Sequence, residues 1–308
     1  MQSTLDMTRE QWLEERRKGL GGSDAAAILG MNPYKSPLAV YCEKLGLAPE
    51  IEDNEAMRQG RDLEEYVARR FCEATGKKVR RCNRILRHPE HPWMLANIDR
   101  DVVGEDAGLE CKTTSQYNKT PFDQGEVPAV YYWQCVHYMA VTGAAKWYLA
   151  VLVHGKAFYK FEILRNEEHI NYLTDAEWRF WQNSVLAELP PLPCGSEQDG
   201  DLVAMLPGEN GPEDVVDLQD LEGDIDLLQV LKRDADALET RIGAIKQRIA
   251  VTLSGADAGR TNRWYVTNRE QSAGRLDTKR IKADLPEIAA KYTNVTTSRV
   301  MRFKEEKS

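Results

Sequence analysis

The sequence predicts an α/β chain: a mixed sheet flanked by helices, then a long helix and a small α+β extension. Three observations carry this. Leu63, Val67 and Phe71 form an apolar stripe at spacing four, the mark of an amphipathic helix over 60–74. Trp93 to Val103 and Leu109 to Thr114 read as strands joined by a turn from Gly104 to Gly108. Lys146–Val153 and Ala157–Leu164 read as a second pair joined at His154-Gly155. Helical stretches separate these pairs, the alternation that lays helices against a sheet. With 308 residues there is room for one sizeable domain and an appendage.

Near the N-terminus, Ser23 follows two glycines and precedes the apolar run Ala25 to Leu29, the signature of a helix N-cap. Such a terminus caps itself or attracts a phosphate, and Arg17 is either a surface charge or a bidentate phosphate donor. Glu64 lies beside the Leu63–Phe71 stripe, where an inward carboxylate needs a partner or a metal. Residues 128–141 read as a helix with Tyr131, Gln134 and Tyr138 on one face, and His137 reads as structural. A further helix spans about 166–189 and carries Trp178 and Trp181. Five prolines between Leu189 and Pro212 mark a linker. The expected organisation is a core over 1–190, an acidic Pro/Gly linker over 191–214 and an extension over 215–308.

In that extension, apolar positions from Leu218 to Ile249 alternate three and four apart, except at Ile225–Leu228–Leu231, where the seam slips. The pattern suits a coiled-coil seam or packing on the protein's own core. Beyond Arg260, a strand is expected over Trp264–Thr267, a helix over Asp277–Tyr292 and a strand over Ser298–Phe303. Arg263, Trp264, Tyr265, Arg269 and Arg275 make this a small basic module.

The formal net charge is −8. Residues 196–230 hold eleven acids and no Lys or Arg, so the remainder carries +3, and a weakly positive groove is compatible with the total. Six scattered cysteines without a CxxC pair suit buried thiols in a reducing cytoplasm. No apolar run reaches transmembrane length and the first residues lack a signal-peptide pattern, so a cytoplasmic location without membrane association is expected. His88 and His91, with no cysteine pair nearby, read as a loop rather than a zinc site.

The chemistry-bearing stretch is Asp99 followed by Glu110-Cys111-Lys112. Alternation puts Glu110 and Lys112 on one strand face, and Asp99 reaches them by pairing across the hairpin. Two carboxylates and the Cys111 carbonyl suit a hard cation such as Mg2+, which takes oxygen ligands and retains waters. Lys112 is placed to orient a water activated by that cation. The same residues also make an ordinary solvated cross-strand ion pair, so the short pattern alone decides nothing.

Four blocks in series add to it: Arg17 to Gly30 (RKGLGGSDAAAILG), Gly60-Arg61-Asp62-Leu63-Glu64, the Asp99/Glu110/Lys112 set, and Gln134 through His137-Tyr138-Met139 to Gly143. Together they resemble the YqaJ-type viral recombinase family, lambda-exonuclease-like members of the PD-(D/E)XK nuclease superfamily. The resemblance implies a restriction-endonuclease-like core and a Mg2+-dependent 5′-to-3′ double-stranded DNA exonuclease in phage-type recombination, with Mn2+ substituting. Asp99, Glu110, Lys112, Glu64 and Gln134 would then be the catalytic set. The metal would be held by Asp99, Glu110, Glu64 and the Cys111 carbonyl, and a 5′-phosphate by Arg17 and Ser23. Implied partners are double-stranded DNA ends, a single-strand annealing protein and further copies of the chain in a trimeric ring. Arg100 departs from the family's usual Gly, and Asp101 shares a strand face with Asp99, so the ligand is one or the other. Two rivals are a structure-specific or nicking endonuclease of the same fold and a non-catalytic DNA-binding or assembly protein.

Overall fold

A computed structural model describes the chain apart from residues 1, 5, 6, 49–52, 209, 210, 212, 213, 295–299 and 305–308. It forms two compact units, Met1–Gly211 and Pro212–Ser308. The first runs β1 (Gln2–Ser3), α1 (Arg9–Arg17), β2 (Leu20–Gly21), α2 (Gly22–Ile28), α3 (Pro37–Leu45) and α4 (Glu55–Thr75). The strands β3 (Val79–Arg81), β4 (Arg84–Arg87), β5 (Met94–Ala96), β6 (Arg100–Val102) and β7 (Ala107–Thr114) follow, then a short helix α5 (Thr120–Asp123). The unit closes with α6 (Ala129–Thr142), β8 (Lys146–Val153), β9 (Ala157–Leu164), α7 (Glu167–Phe180) and α8 (Glu197–Met205).

The main sheet has the order β3-β6-β7-β8-β9. Only β7 and β8 pair in parallel, because α6 carries the chain back between them. Alternation along β8 sends Leu149, Val151 and Val153 into one core with Met139 and Val136 of α6. Tyr148 and Ala150 go to the opposite face, against Val67 and Phe71 of α4. Gly108 on β7 is required by close approach: a Cβ there would stand 2.2 Å from the buried Trp147 ring. A smaller sheet, ordered β1-β4-β5-β2, lies before the hairpin in sequence.

The mixed α/β architecture is the expected one, with helices flanking a mixed sheet and a long helix near the C-terminus. Several boundaries differ. Trp93 to Val103 is not one strand: β5 belongs to the small sheet and β6 to the large one. Met94, Leu95 and Ala96 are all buried, so period-two alternation begins only from Ala96 onward, and the chain changes sheets between Ala96 and Arg100. The expected 191–214 linker contains a docked helix, and the first unit extends to Gly211 rather than 190. Buried Asp199 accepts from Ser36 Oγ at 2.5 Å and from Cys194 N at 2.7 Å, and Leu202 is buried on the α3 side. The expected 166–189 helix is α-helical only to Phe180 and continues through one wider π turn to Leu186.

In the second unit, α9 spans Glu222–Leu253, followed by the hairpin β10 (Ala258–Arg260) and β11 (Tyr265–Thr267). The expected Asp277–Tyr292 helix is two short ones, α10 (Thr278–Asp284) and α11 (Pro286–Lys291), broken where Pro286 lacks an amide hydrogen. Of the strand expected over 298–303, residues 298 and 299 lie outside the described residues and Val300–Phe303 forms no strand. Among the described residues, no helix is long and apolar enough to cross a membrane.

Candidate active site

The site forms where β6 and β7 meet the N-terminal half of α6. Alternation along β7 places Glu110 and Lys112 together, and Lys112 Nζ stands 2.6 Å from Glu110 Oε1. Gln134, one α6 turn before Tyr138, donates from Nε2 to the same Glu110 oxygen at 2.7 Å and to Tyr138 Oη at 2.8 Å. Tyr138 in turn donates to the Asn97 carbonyl at 3.2 Å. Glu110 Oε2 is buried and, among the described residues, has no hydrogen-bond partner. Asp99 reaches across the hairpin as expected: its Oδ2 accepts from Cys111 N at 2.8 Å. Since N–H and C=O of one strand residue point the same way, the Cys111 carbonyl leaves β7 on the Asp99 side.

The electrostatics are those of carboxylates crowded out of water. Burial, then the charges of Glu110 and Glu64, hold the Asp99 carboxyl well above the ordinary carboxylate range. Burial likewise raises Glu110, against the pull of Lys112. For Lys112 burial opposes the charge, but Glu110 outweighs it and the ammonium is favoured.

Asp101 points elsewhere, pairing with Arg80 at 3.1 Å and approaching Arg84 at 3.9 Å. The geometry therefore joins Asp99, not Asp101, to Glu110. Arg100 accounts for the departure at the following position. Its buried guanidinium pairs with Glu64 at 2.5 Å and Glu65 at 3.0 Å, and donates to the Asp99 carbonyl at 2.8 Å. Glu64 is thus close enough to raise Asp99 yet held by a cation of its own. Among the described residues, no group of three or more His, Cys, Asp or Glu side chains converges as a ready metal cage.

Across a cavity of about 200 Å3 from Asp99, Glu110 and Gln134 stand Trp12, Arg16 and Ser23. Arg16, not Arg17, donates to Ser23 Oγ, at 3.2 Å. Arg17 lies at the other side of α1, its Nη1 3.4 Å from where a Cβ on Gly46 would be. Successive helical residues point about 100° apart, so one position decides which arginine enters the cavity. The signal in the sequence was Trp12: Arg16 is four residues on and its guanidinium stacks 4.7 Å over that ring.

Ser23 is not the cap of α2. Gly21 occupies that position, and its amide is satisfied by Asp24 Oδ2 at 3.0 Å. Gly22 lets α2 approach α6, since a Cβ there would stand 2.6 Å from Tyr138 Cε1. The sequence reading missed Asp24. It is fully buried and pairs with Lys44 at 2.6 Å and Lys35 at 2.8 Å. Burial pushes its carboxyl up, but the two lysines outweigh that and hold it well below the usual range. Lys44 also donates to the Arg16 carbonyl at 3.3 Å, tying this buried cluster to the cavity wall. His137 is structural: buried, it meets Glu177 Oε1 through Nδ1 at 2.8 Å and the Leu95 carbonyl through Nε2 at 2.9 Å.

Three kinds of comparison bear on this arrangement. The family model described as the YqaJ-like viral recombinase domain matches residues 11–145, which hold every candidate site residue. The chain is 36% identical over 304 residues to the uncharacterized protein YqaJ of Bacillus subtilis (strain 168), covering 97% of this chain and 95% of that protein. Its fold is similar to the alkaline exonuclease (LHK-Exo) of Laribacter hongkongensis, with TM-score 0.51 and 21% identity over 58% of this chain and 94% of that one. The same enzyme in complex with dAMP matches with TM-score 0.51 and 22% identity, over 58% and 94% of the two chains.

Proposed function

Because the chain belongs to the YqaJ-like viral recombinase family, we propose that it is a divalent-metal-dependent exonuclease that resects double-stranded DNA from 5′ ends in phage-type recombination. The observation that carries this reading is the convergence of Asp99, Glu110 and Gln134 on one cavity, with Lys112 held on the Glu110 carboxylate. The name alkaline exonuclease belongs to a protein of similar fold and adds to the plausibility of the chemistry here.

The residues fit a hard cation. Among the described residues Glu110 Oε2 is a buried acceptor without a partner, and the half-buried Asp99 carboxylate crowds toward it with a backbone carbonyl beside them. Asp99, Glu110 and the Cys111 carbonyl would hold Mg2+, or Mn2+ in its place, with Glu64 at the rim. Bound there, the cation supplies Lewis-acid charge and lowers the pKa of an attacking water.

The remaining work falls to side chains. Gln134 and Lys112 both grip Glu110 Oε1 and so fix the carboxylate's orientation. Lys112 then presents its ammonium to the water that attacks the scissile phosphodiester and to the charge that develops there. Arg16 and Ser23 on the facing wall bind the 5′-phosphate of the terminal nucleotide, the role expected of Arg17 and Ser23. A trimeric ring around DNA, a cytoplasmic location and hand-over of the remaining strand to an annealing protein complete the proposal.

The test is digestion of end-labelled linear duplex with 5′-phosphate or 5′-hydroxyl ends, with and without Mg2+. Mononucleotide release from the phosphorylated 5′ end, only with the cation, is expected. Cutting of closed circular DNA would instead favour the endonuclease reading, and no cutting of any substrate the non-catalytic one.

A further inference from the structure

A second groove, of about 780 Å3, lies between α4 and the β8–β9 turn. It begins at Leu63, the chain neighbour of Glu64. Arg70, Lys156 and Lys160 line it together with Tyr66 and Phe158, and no carboxylate does. In a chain of net charge −8, three cations in a lining that holds no carboxylate among the described residues are a local reversal of sign. Arg70 holds the aromatic wall together: its guanidinium is 5.2 Å from the Phe158 ring centre, and Nη1 donates to Tyr66 Oη at 3.1 Å. Its own carboxylate partner, Glu73 at 3.4 Å, stands outside the lining. Lys156 and Lys160 are exposed and appear in no ion pair among the described residues.

The groove shares two elements with the site, on the face of the sheet opposite Glu110 and Lys112. In the sheet, Lys112 is level with Val151 and Thr114 with Val153, which lines the groove at the turn. On α4, Gly60 packs toward Thr113, its would-be Cβ 3.7 Å from Oγ1, one residue past Lys112.

Cations that track a phosphate backbone, interleaved with flat groups on which bases stack, are what single-stranded nucleic acid binds. A duplex offers phosphates but keeps its base faces stacked on each other, so half-buried aromatics and a guanidinium plane favour unpaired bases. We propose that this groove binds single-stranded DNA, the uncut strand as it leaves the cavity. The assignment of that strand rests on the exonuclease reading above.

The experiment is fluorescence anisotropy of labelled oligo(dT), and of a duplex of equal length, with the full chain in EDTA so that nothing is cut. The Lys156→Ala/Lys160→Ala variant should bind oligo(dT) about tenfold more weakly, with the log–log salt slope reduced by about 1.4 for two lost phosphate contacts. Duplex binding should fall less, and digestion of a short duplex at saturating enzyme should match the parent. Lys156→Glu/Lys160→Glu should deepen the loss on oligo(dT). Oligo(dT) affinity within twofold of the parent, or an equal loss on duplex, would overturn the single-strand site. If the parent hydrolyses no duplex under Mg2+ while the variant still loses oligo(dT), the nuclease reading fails and the groove stands. If the parent hydrolyses and oligo(dT) binding is unchanged, only the groove fails.

Discussion

Lys112 Nζ and Gln134 Nε2 meet on a single oxygen of Glu110, at 2.6 and 2.7 Å, and leave the other oxygen buried and unpartnered. One side of the carboxylate is thereby fixed and the other reserved. A buried acceptor left unmet costs about 1–3 kcal/mol, which a ligand bound there would recover.

Lys112→Ala should therefore abolish most hydrolysis, by about 10²–10³ in kcat, with the fold retained. Glu110→Gln should lose hydrolysis and also weaken metal binding. Digestion rates on linear duplex together with calorimetric Mn2+ titration separate the two. Parent-like rates in either variant would remove the assignment.

The two adjacent arginines give a sharper comparison. Arg16→Ala should slow digestion of 5′-phosphorylated duplex roughly tenfold or more, since a charge-assisted hydrogen bond is worth about 1.5–3 kcal/mol, and spare the 5′-hydroxyl substrate. Arg17→Ala should leave that preference intact. The reverse ranking would place the phosphate at the other face of α1.

Asp24→Asn leaves Lys44 and Lys35 without their shared carboxylate inside the protein. Removing one partner of a buried ion pair costs about 3–5 kcal/mol. A drop of that size in urea-denaturation stability is expected, together with a weakened 5′-phosphate preference because Lys44 also steadies the Arg16 carbonyl.

The His137–Glu177 pair makes stability depend on pH in one direction. Burial lowers the His137 pKa, but Glu177 outweighs it and the folded value is raised above the ordinary one. The folded state then binds the proton more tightly, so this contribution is full below the ordinary imidazole pKa and is lost as pH rises through the raised value. Asp24 and Lys44 also act on the pair. Urea midpoints measured from about pH 6 to about pH 9, across the ordinary imidazole range, should decline, and His137→Gln should flatten the decline.

Truncation should distinguish two positions. Ending the chain after Gly211 keeps α8 and should leave a folded core, whereas ending it after Pro193 removes Asp199 from Ser36 and Leu202 from its apolar neighbours. The shorter product should show a clearly lower urea midpoint or fail to fold. Equal midpoints would return the boundary to the neighbourhood of residue 190.

Local periodicity was enough for much of this protein. The strands β8 and β9 lie over the residues that alternation predicts, α4 encloses its expected span and α6 covers 129–142 against the expected 128–141, because burial of one face writes its period into the chain. Glu110, Lys112 and Asp99 were legible for the same reason, as was Gln134 on its helical face. What periodicity does not carry is which distant element a face meets. Asp101 was separated from Asp99 by Arg80, and Glu64 was claimed by Arg100, through contacts 21 and 36 residues apart. Arg16 replaced Arg17 because the phase of α1 is set by what Trp12 and Gly46 pack near. The polar, proline-flanked segment around Asp199 read as linker because the buried Asp199 carboxylate has its partner 163 residues away, at Ser36. Strand and helix are decided by neighbours in sequence; the partner of a buried charge is decided by neighbours in space, and only the folded chain supplies those.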